Sequence, residues 1–529
     1  MLNIESQPST VLLPLSDAER VLFEKIVPEN HFLRRLPQVV DFESFRPLLI
    51  SAYSPDQGRP ALDPVILLKL EVLARQYKLS DREVIAGARF NIAYRLFLGL
   101  SLESPLPHHT SMTYFRHRIT AQRLQQVFDN LVGQARRCGL VKDRLRLKDA
   151  THIIANIAVP STIRLVAEAR DQLLEALQPL TPERTLAERQ RAEAIGVGTQ
   201  DVKDEERLLQ RVTHLRAVLA WADDVPAQDS FRQQSEPIQE QLRVALALAH
   251  KILADREDPK AGDKTLSVHD PDARRAKHGD WYDGYLLDVA MDADSEIITA
   301  INVLPANGDE GGDAAHLIAQ EERAHGNDVA AVSIDGAGYR GTVLRDLTDP
   351  AGLHLEVFTP PTEPPPPKGF PPERFSLQVI DGRSVLTCPA GQTTTERERN
   401  RHDTGYKYSF REAQCSGCPL REECLAKPNA KARTVLKNDF EAEYTAAKNK
   451  AQTSEYVQVR REHPAIERKL AELVRRHEAR HARYRGRLRV AYQGLMTSLV
   501  VNMKRIVRLL DTLPEVIALT VRAELAKLS

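Results

Sequence analysis

The chain has 529 residues, 42% of them hydrophobic, five cysteines and a formal net charge of zero. That length suits two to four domains with their own cores, and no apolar run approaches the ~18 residues that a membrane span requires. Global charge therefore points to no partner, and no basic region followed by an apolar one marks a secretory signal, so the cytoplasm is the expected compartment.

The first ~140 residues read as short capped helices. Asp63-Pro64 is a helix start, with Asp63 as N-cap and proline in the first turn, ahead of Val65 to Leu73. Ser80 and Glu83 form a capping box. Gly99 suits a left-handed cap after Leu98. Thr110 or Ser111 then caps a short basic helix that carries Arg116 and Arg118. Such a series fits a helix-turn-helix-like DNA-binding unit, or an ordinary helical bundle.

Strands begin near Arg144, with Leu145, Leu147, Asp149 and Ile153 on one face. A carboxylate sharing a face with leucines is costly to bury unless it is paired or metal-bound. Residues 163–262 turn helical, as an antiparallel pair on the spacing of Leu208, Val212, Leu215 and Leu219 and of Ile238, Leu242, Leu246 and Ala249. Trp281 to Met291 and Ile297 to Leu304 form a hairpin around Asp292-Ala-Asp-Ser295. A helix from about Gly312 to His325 precedes the apolar run Val329 to Ile334, which ends at Asp335. His354 to Phe358 is a further strand. Pro360 to Pro372 is a linker that cannot join a sheet. A cysteine-bearing segment follows, and the chain is helical from Phe440 onward. The sum is a mixed α/β sheet with insertions.

Three acids stand out. Asp149 lies in the first strand, Asp335 just past a later one, and Glu467 in the basic helical stretch His463 to Leu470. Three carboxylates on a rigid frame can hold two magnesium ions ~4 Å apart, and such a site cuts and joins phosphodiester bonds. Taken singly, each acid reads better as a surface strand-end aspartate or a helix glutamate paired with arginine; the set, with its neighbouring sequence, shifts the balance. From Val457 to Val490 there are eleven Arg and Lys against four Glu, a net of +7. This run is either a solvated helix face or a phosphate-contacting one. Cys388, Cys415, Cys418 and Cys424 include one Cys-x-x-Cys pair. Four thiolates can close a structural zinc site, with disulfides or free thiols as the rival reading, and His402 as a substitute ligand. Cys138, outside the cluster, reads as a small buried apolar residue.

Several stretches together resemble the DDE transposases of bacterial insertion sequences. Gly58-Arg-Pro-Ala-Leu-Asp-Pro-Val-Ile-Leu-Leu-Lys69 and Pro107 to Arg116 resemble that family's N-terminal signature. Asp149-Ala-Thr-His152 and Asp335-Gly-Ala-Gly-Tyr339 match its first and second aspartates. Val268-His-Asp-Pro-Asp-Ala-Arg274, Pro305-Ala-Asn307, Arg483-Tyr-Arg-Gly486 and Val501-Asn-Met-Lys-Arg505 match further segments. The chain departs from the family at Ala337, where a basic residue is usual, and beyond Glu467, where Arg475 is the nearest substitute for a lysine.

The resemblance implies an α/β ribonuclease-H-like mixed sheet over 141–162, 263–359 and 440–529. It is preceded by an all-α DNA-binding domain at 1–140 and interrupted by the helical insertion 163–262. A proline-rich linker and cysteine-rich zinc-binding insertion fill 360–439. It implies a magnesium-dependent DNA transposase in which Asp149, Asp335 and Glu467 are catalytic and hold two Mg2+, with one structural Zn2+ on the four cysteines. Its expected partner is double-stranded DNA, both inverted-repeat ends and target. Contacts are expected at Arg116, Arg118, Arg468, Arg475, Arg476, Arg483, Arg485, Lys504 and Arg505. A homodimer or larger assembly on DNA, associated with the nucleoid, is expected. An inactive transposase-derived DNA-binding protein, or a nuclease of the same fold, are the alternatives.

Overall fold

A computed structural model describes residues 12–54, 62–258, 260–362, 369–402, 404–425, 427 and 429–512. Gly58 to Ala61 of the N-terminal signature and 363–368 of the proline-rich linker lie outside them. A six-stranded sheet forms the centre. Its strands are β1 (Arg146–Ile154), β2 (Arg274–His278), β3 (Asp280–Asp292), β4 (Ile298–Pro305), β5 (Ala331–Ser333) and β6 (Glu356–Phe358). β3 lies antiparallel to β1 and β4, while β1, β5 and β6 run parallel.

The β3–β4 hairpin is where the sequence puts it. β2 is an addition: a tight antiparallel partner of β3, joined through Gly279 at φ 73°. Arg275 and Lys277 on it show no apolar alternation, so the sequence carries no strand signal there.

The two faces of the sheet differ. On the back, the helices Glu310–His325 and Gly341–Thr348 bury Ala290, Ala300, Val332 and Ile334. On the front, Leu147, Ile153, Leu287, Val289 and Met291 join one continuous core. That core includes Leu33 to Ala135 of the N-terminal helices and Ile466 to Leu510 of the C-terminal ones. The long helix Arg487–Thr512 crosses this face closely at Gly494, where a Cβ would stand 3.0 Å from the Leu287 side chain. Asn502 pins it to β4, accepting from Ile298 N (2.8 Å) and donating to Ile298 O (2.7 Å). The N-terminal helices thus share one core with the sheet. Their apolar faces find their partner in the sheet and in the C-terminal helices.

The expected caps at Asp63, at Ser80 with Glu83, and at Gly99 are present. The basic helix Thr110–Arg118 is entered differently. Its N-cap is His109, without a side-chain bond, and Thr110 Oγ1 instead meets His108 Nδ1 at 2.8 Å.

The insertion folds on itself. Helices Thr162–Leu177, Pro182–Gly198, Asp204–Ala222 and Glu236–Glu257 surround a core of their own, so it is a bundle rather than the expected pair. The cysteine-bearing segment forms two small three-stranded sheets around Phe370, Phe375, Leu386, Tyr408, Phe410 and Val435. No helix among the described residues is long and apolar enough to cross a membrane.

Candidate active site

β1 and β5 run parallel with Leu147 beside Ser333. Two residues on, the same register brings Asp149 level with Asp335, on neighbouring strands ~4.8 Å apart. Side chains alternate along a strand. Ile334 enters the back core, while Ser333 Oγ meets His463 Nδ1 at 3.0 Å on the front. Asp335 therefore shares the front face with Asp149. Past β5 the backbone turns, and Asp335 Oδ1 accepts from Ala337 N at 3.0 Å.

The helix Pro464–His477 packs across this face. Its start is fixed at the Ser333 level by His463, and by Arg460, which donates to Ser333 Oγ (3.2 Å) and Ile334 O (2.9 Å). The loop after it pairs with the far end of β1: Ile154 N donates to Arg480 O and Ala482 N to Ile154 O, both 2.8 Å. The helix thus runs along β1 in the strand's own direction. Asp149 lies two residues past the Ser333 level, about 6.6 Å. Four helical residues past His463 cover about 6 Å and reach Glu467. Glu467, which is exposed, therefore lies at about the same height along β1 as the two aspartates.

Burial pushes the Asp149 carboxyl up to about 6, and the charges of Asp335 and Glu310 add to the rise. Burial pushes His463 down to about 4, with Arg460 adding and Asp335 opposing. Asp149, Asp335 and Glu467 make no salt bridge among the described residues. Glu462 pairs with Arg144 (2.7 Å), and Glu472 with Lys504 (3.2 Å) and Lys469 (3.3 Å). Glu310 was missed by sequence reasoning. It begins the helix behind the hairpin, and nothing in its neighbourhood marks it.

The four clustered cysteines line one small cavity, with Phe375 and Phe410 behind them. Burial raises the Cys424 thiol, with Cys415, Cys388 and Cys418 adding. These four form no disulfide. His402 is exposed, accepts a hydrogen bond from Arg401 and does not line this cavity. Among the described residues, no three His, Cys, Asp or Glu side chains stand close enough to hold a metal ion as they are.

The nine expected DNA-contacting cations divide. Arg116 is spent inside the fold, on Glu71 (2.5 Å) and Asp81. Lys504 is held by Glu472 and His477, and Arg505 by Ser295 O (2.6 Å) and Glu296 (3.5 Å). Arg483 pairs with Glu478 at 2.6 Å. Arg118 stacks on Tyr53, 4.8 Å from its ring centre. Arg468, Arg475, Arg476 and Arg485 are exposed, and of these only Arg468 approaches a carboxylate, Glu296 at 4.0 Å.

Residues 21–118 match a transposase domain family (DUF772). Residues 387–507 match the transposase DDE domain family. The second match spans the cysteine segment, Glu467 and most of the long helix, and Asp149 and Asp335 fall between the two. No solved structure matches the chain.

Proposed function

Since the chain belongs to the DDE transposases of insertion-sequence type, a family that acts on DNA, we propose that it cuts DNA at the ends of an insertion sequence and joins the freed ends to target DNA. The observation that carries the reading is the parallel register of β1 and β5, which sets Asp149 beside Asp335, with the helix that carries Glu467 pinned to the same strands. Asp149's raised carboxyl fits an acid cluster built to receive positive charge from outside. Asp149, Asp335 and Glu467 would hold two magnesium ions. When bound, these polarise the phosphodiester and activate the attacking oxygen.

The chain's own part is positioning. Asp149 and Asp335 are fixed by the pairing of β1 with β5, and Glu467 by a helix pinned at both ends to the same strands. Hydrolysis frees a 3′-hydroxyl, which then attacks a phosphodiester of the target. Exposed Arg118, Arg468, Arg475, Arg476 and Arg485 supply cations for backbone phosphates, which orient DNA without reading its sequence. Arg116, Arg483, Lys504 and Arg505 serve the fold, judged by their partners. Pairing two ends needs at least two copies of the chain on DNA.

Cys388, Cys415, Cys418 and Cys424 fit a structural zinc ion. They come from the turn after Thr387 and from two short helices with the loop between them, and line the same cavity; four protein ligands leave no open position for chemistry.

The test is a strand-transfer assay with the full chain and linear duplexes carrying the sequence that flanks its coding region. Cleavage in magnesium or manganese, followed by joining to a target plasmid, is expected. Calcium should support binding without cleavage. Cleavage without any joining would make the protein a nuclease.

A further inference from the structure

The segment Val268–Arg274 has no part in cleavage, yet it ties three regions together. Val268 is buried in the core of the insertion bundle. Asp270 is fully buried, and its Oδ1 accepts from the Tyr285 hydroxyl on β3 and from Gly486 N (3.1 Å). Asp272 Oδ2 accepts from Arg487 N (2.9 Å), the first residue of the long helix. The two aspartates thus cap that helix from more than 200 residues earlier, satisfying open amides and placing negative charge at its positive end. From the other side β1 holds the same loop through Ile154 and through Asn156, whose carbonyl accepts from Arg485 Nε (3.1 Å).

What is held so firmly is the entry to an arginine-rich helix. Arg485, Arg487 and Arg489 are exposed, and none has a carboxylate within ion-pair distance among the described residues. Arg489, with Tyr484 and Leu488, also lines a cleft of about 660 Å³ against His117 of the basic helix Thr110–Arg118. A solvated arginine needs no buried anchor. Arg485 on this doubly tethered loop and Arg487 at the start of the helix it feeds suit a polyanion of fixed geometry. The loop joins β1 at Ile154, five residues beyond Asp149, roughly 16 Å along the strand. DNA rises ~3.4 Å per base pair, so that distance spans about five base pairs.

We propose that Asp270 and Asp272 are positioning residues that hold Arg485 and Arg487 as a clamp on backbone phosphates, about five base pairs from the bond cut at Asp149. The clamp rests on the transposase reading above.

The test is phosphate-ethylation interference with the full chain on a duplex carrying the sequence that flanks its coding region. Ethylation about five base pairs from the cleaved bond should block binding by the wild type. In Arg485→Ala/Arg487→Ala that signal should vanish, and the slope of log affinity against log salt should fall by about two. Asp272→Ala keeps every arginine, and the aspartate is exposed, so the chain folds. It should weaken the same signal, and Asp272→Asn, which keeps an acceptor, should restore it. Interference that persists in the double arginine variant overturns the clamp while leaving the transposase reading intact. Loss in the arginine variant but not in Asp272→Ala overturns the positioning role. A wild-type chain that binds no DNA at any salt overturns both.

Discussion

On the back of β1, Arg146 and Lys148 are sealed from solvent and matched. Arg146 meets Glu321 (2.6 Å), Asp143 (3.0 Å) and Asp292 (3.1 Å), and Lys148 meets Asp288 (3.0 Å) and the Glu310 carbonyl (2.5 Å). On the front of the same strand, Asp149 lies level with Asp335, and neither makes a salt bridge among the described residues. Burial raises the carboxyl on both faces: Asp288 well above the ordinary range, against the pull of Lys148, and Asp149 to about 6, with Asp335 and Glu310 adding. Where an acid serves the fold, the chain supplies its counter-charge from a neighbouring element. At the front Lys148 pulls on Asp149 without pairing with it. Adjacent residues of one strand thus carry one charge that is paired inside the fold and one that is not.

The largest break in that comparison is on the front. Asp149→Asn, Asp335→Asn or Glu467→Gln should lower cleavage about 10³-fold or more, because each removes a ligand and keeps the shape. End binding, read by gel shift, should persist. Glu462→Gln and Glu472→Gln, whose acids are already paired, should stay within about threefold of wild type. If Glu467→Gln cleaves normally, the third acid lies elsewhere.

On the back, Arg146→Met should cost about 3–5 kcal/mol, since it strands Glu321 and Asp292 in the interior. Urea unfolding of the purified chain would show it. Adding Glu321→Leu should recover part of the loss, whereas no such partner rescues Asp149→Asn.

The cysteine core supplies a third kind of site, with thiols in place of carboxylates. Purified protein should carry about one zinc per chain by elemental analysis. Cys418→Ser should lower that content and raise amide exchange chiefly within 370–438. Metal-free protein whose four thiols all alkylate readily in the native state would exclude zinc.

The smallest effect comes from an acid with neither a cation nor a site. Asp129 bonds only Gln125 (2.7 Å), and burial pushes it up to about 6 from 3.8. The folded chain therefore holds this proton more tightly than the unfolded one. Stability is greatest below about pH 4, falls as the pH rises towards 6, and is level above. Asp129→Asn should gain about 1–2 kcal/mol at pH 8, allowing for partial exposure, and nothing at pH 4. The difference in urea midpoints at the two pH values measures it, and cleavage should be unchanged.

Much of this was legible in the sequence because it is local. The caps at Asp63, Ser80 and Gly99 depend on residues within a turn, and Asp149 declares itself by interrupting leucines on one face. The common level of Asp149 and Asp335 is not local. It follows from a parallel pairing across 186 residues, which no spacing reveals. Arg116 misleads for the same reason. It sits in a basic run, but its partners Glu71 and Asp81 lie 45 and 35 residues earlier. The single front core was equally hidden, since each helix shows its apolar stripe without naming what covers it.

That front core also sets a timetable for synthesis. Leu33 and Leu510 belong to the same packed unit, so the first helices leave the ribosome long before their cover does. At ~5–20 residues per second they wait some tens of seconds with apolar faces bare. The insertion bundle has all its partners between Leu165 and Val268 and can close in the meantime. A chain stopped before Arg487 would lack the long helix that covers the front of its sheet, and the apolar surface left bare favours aggregation.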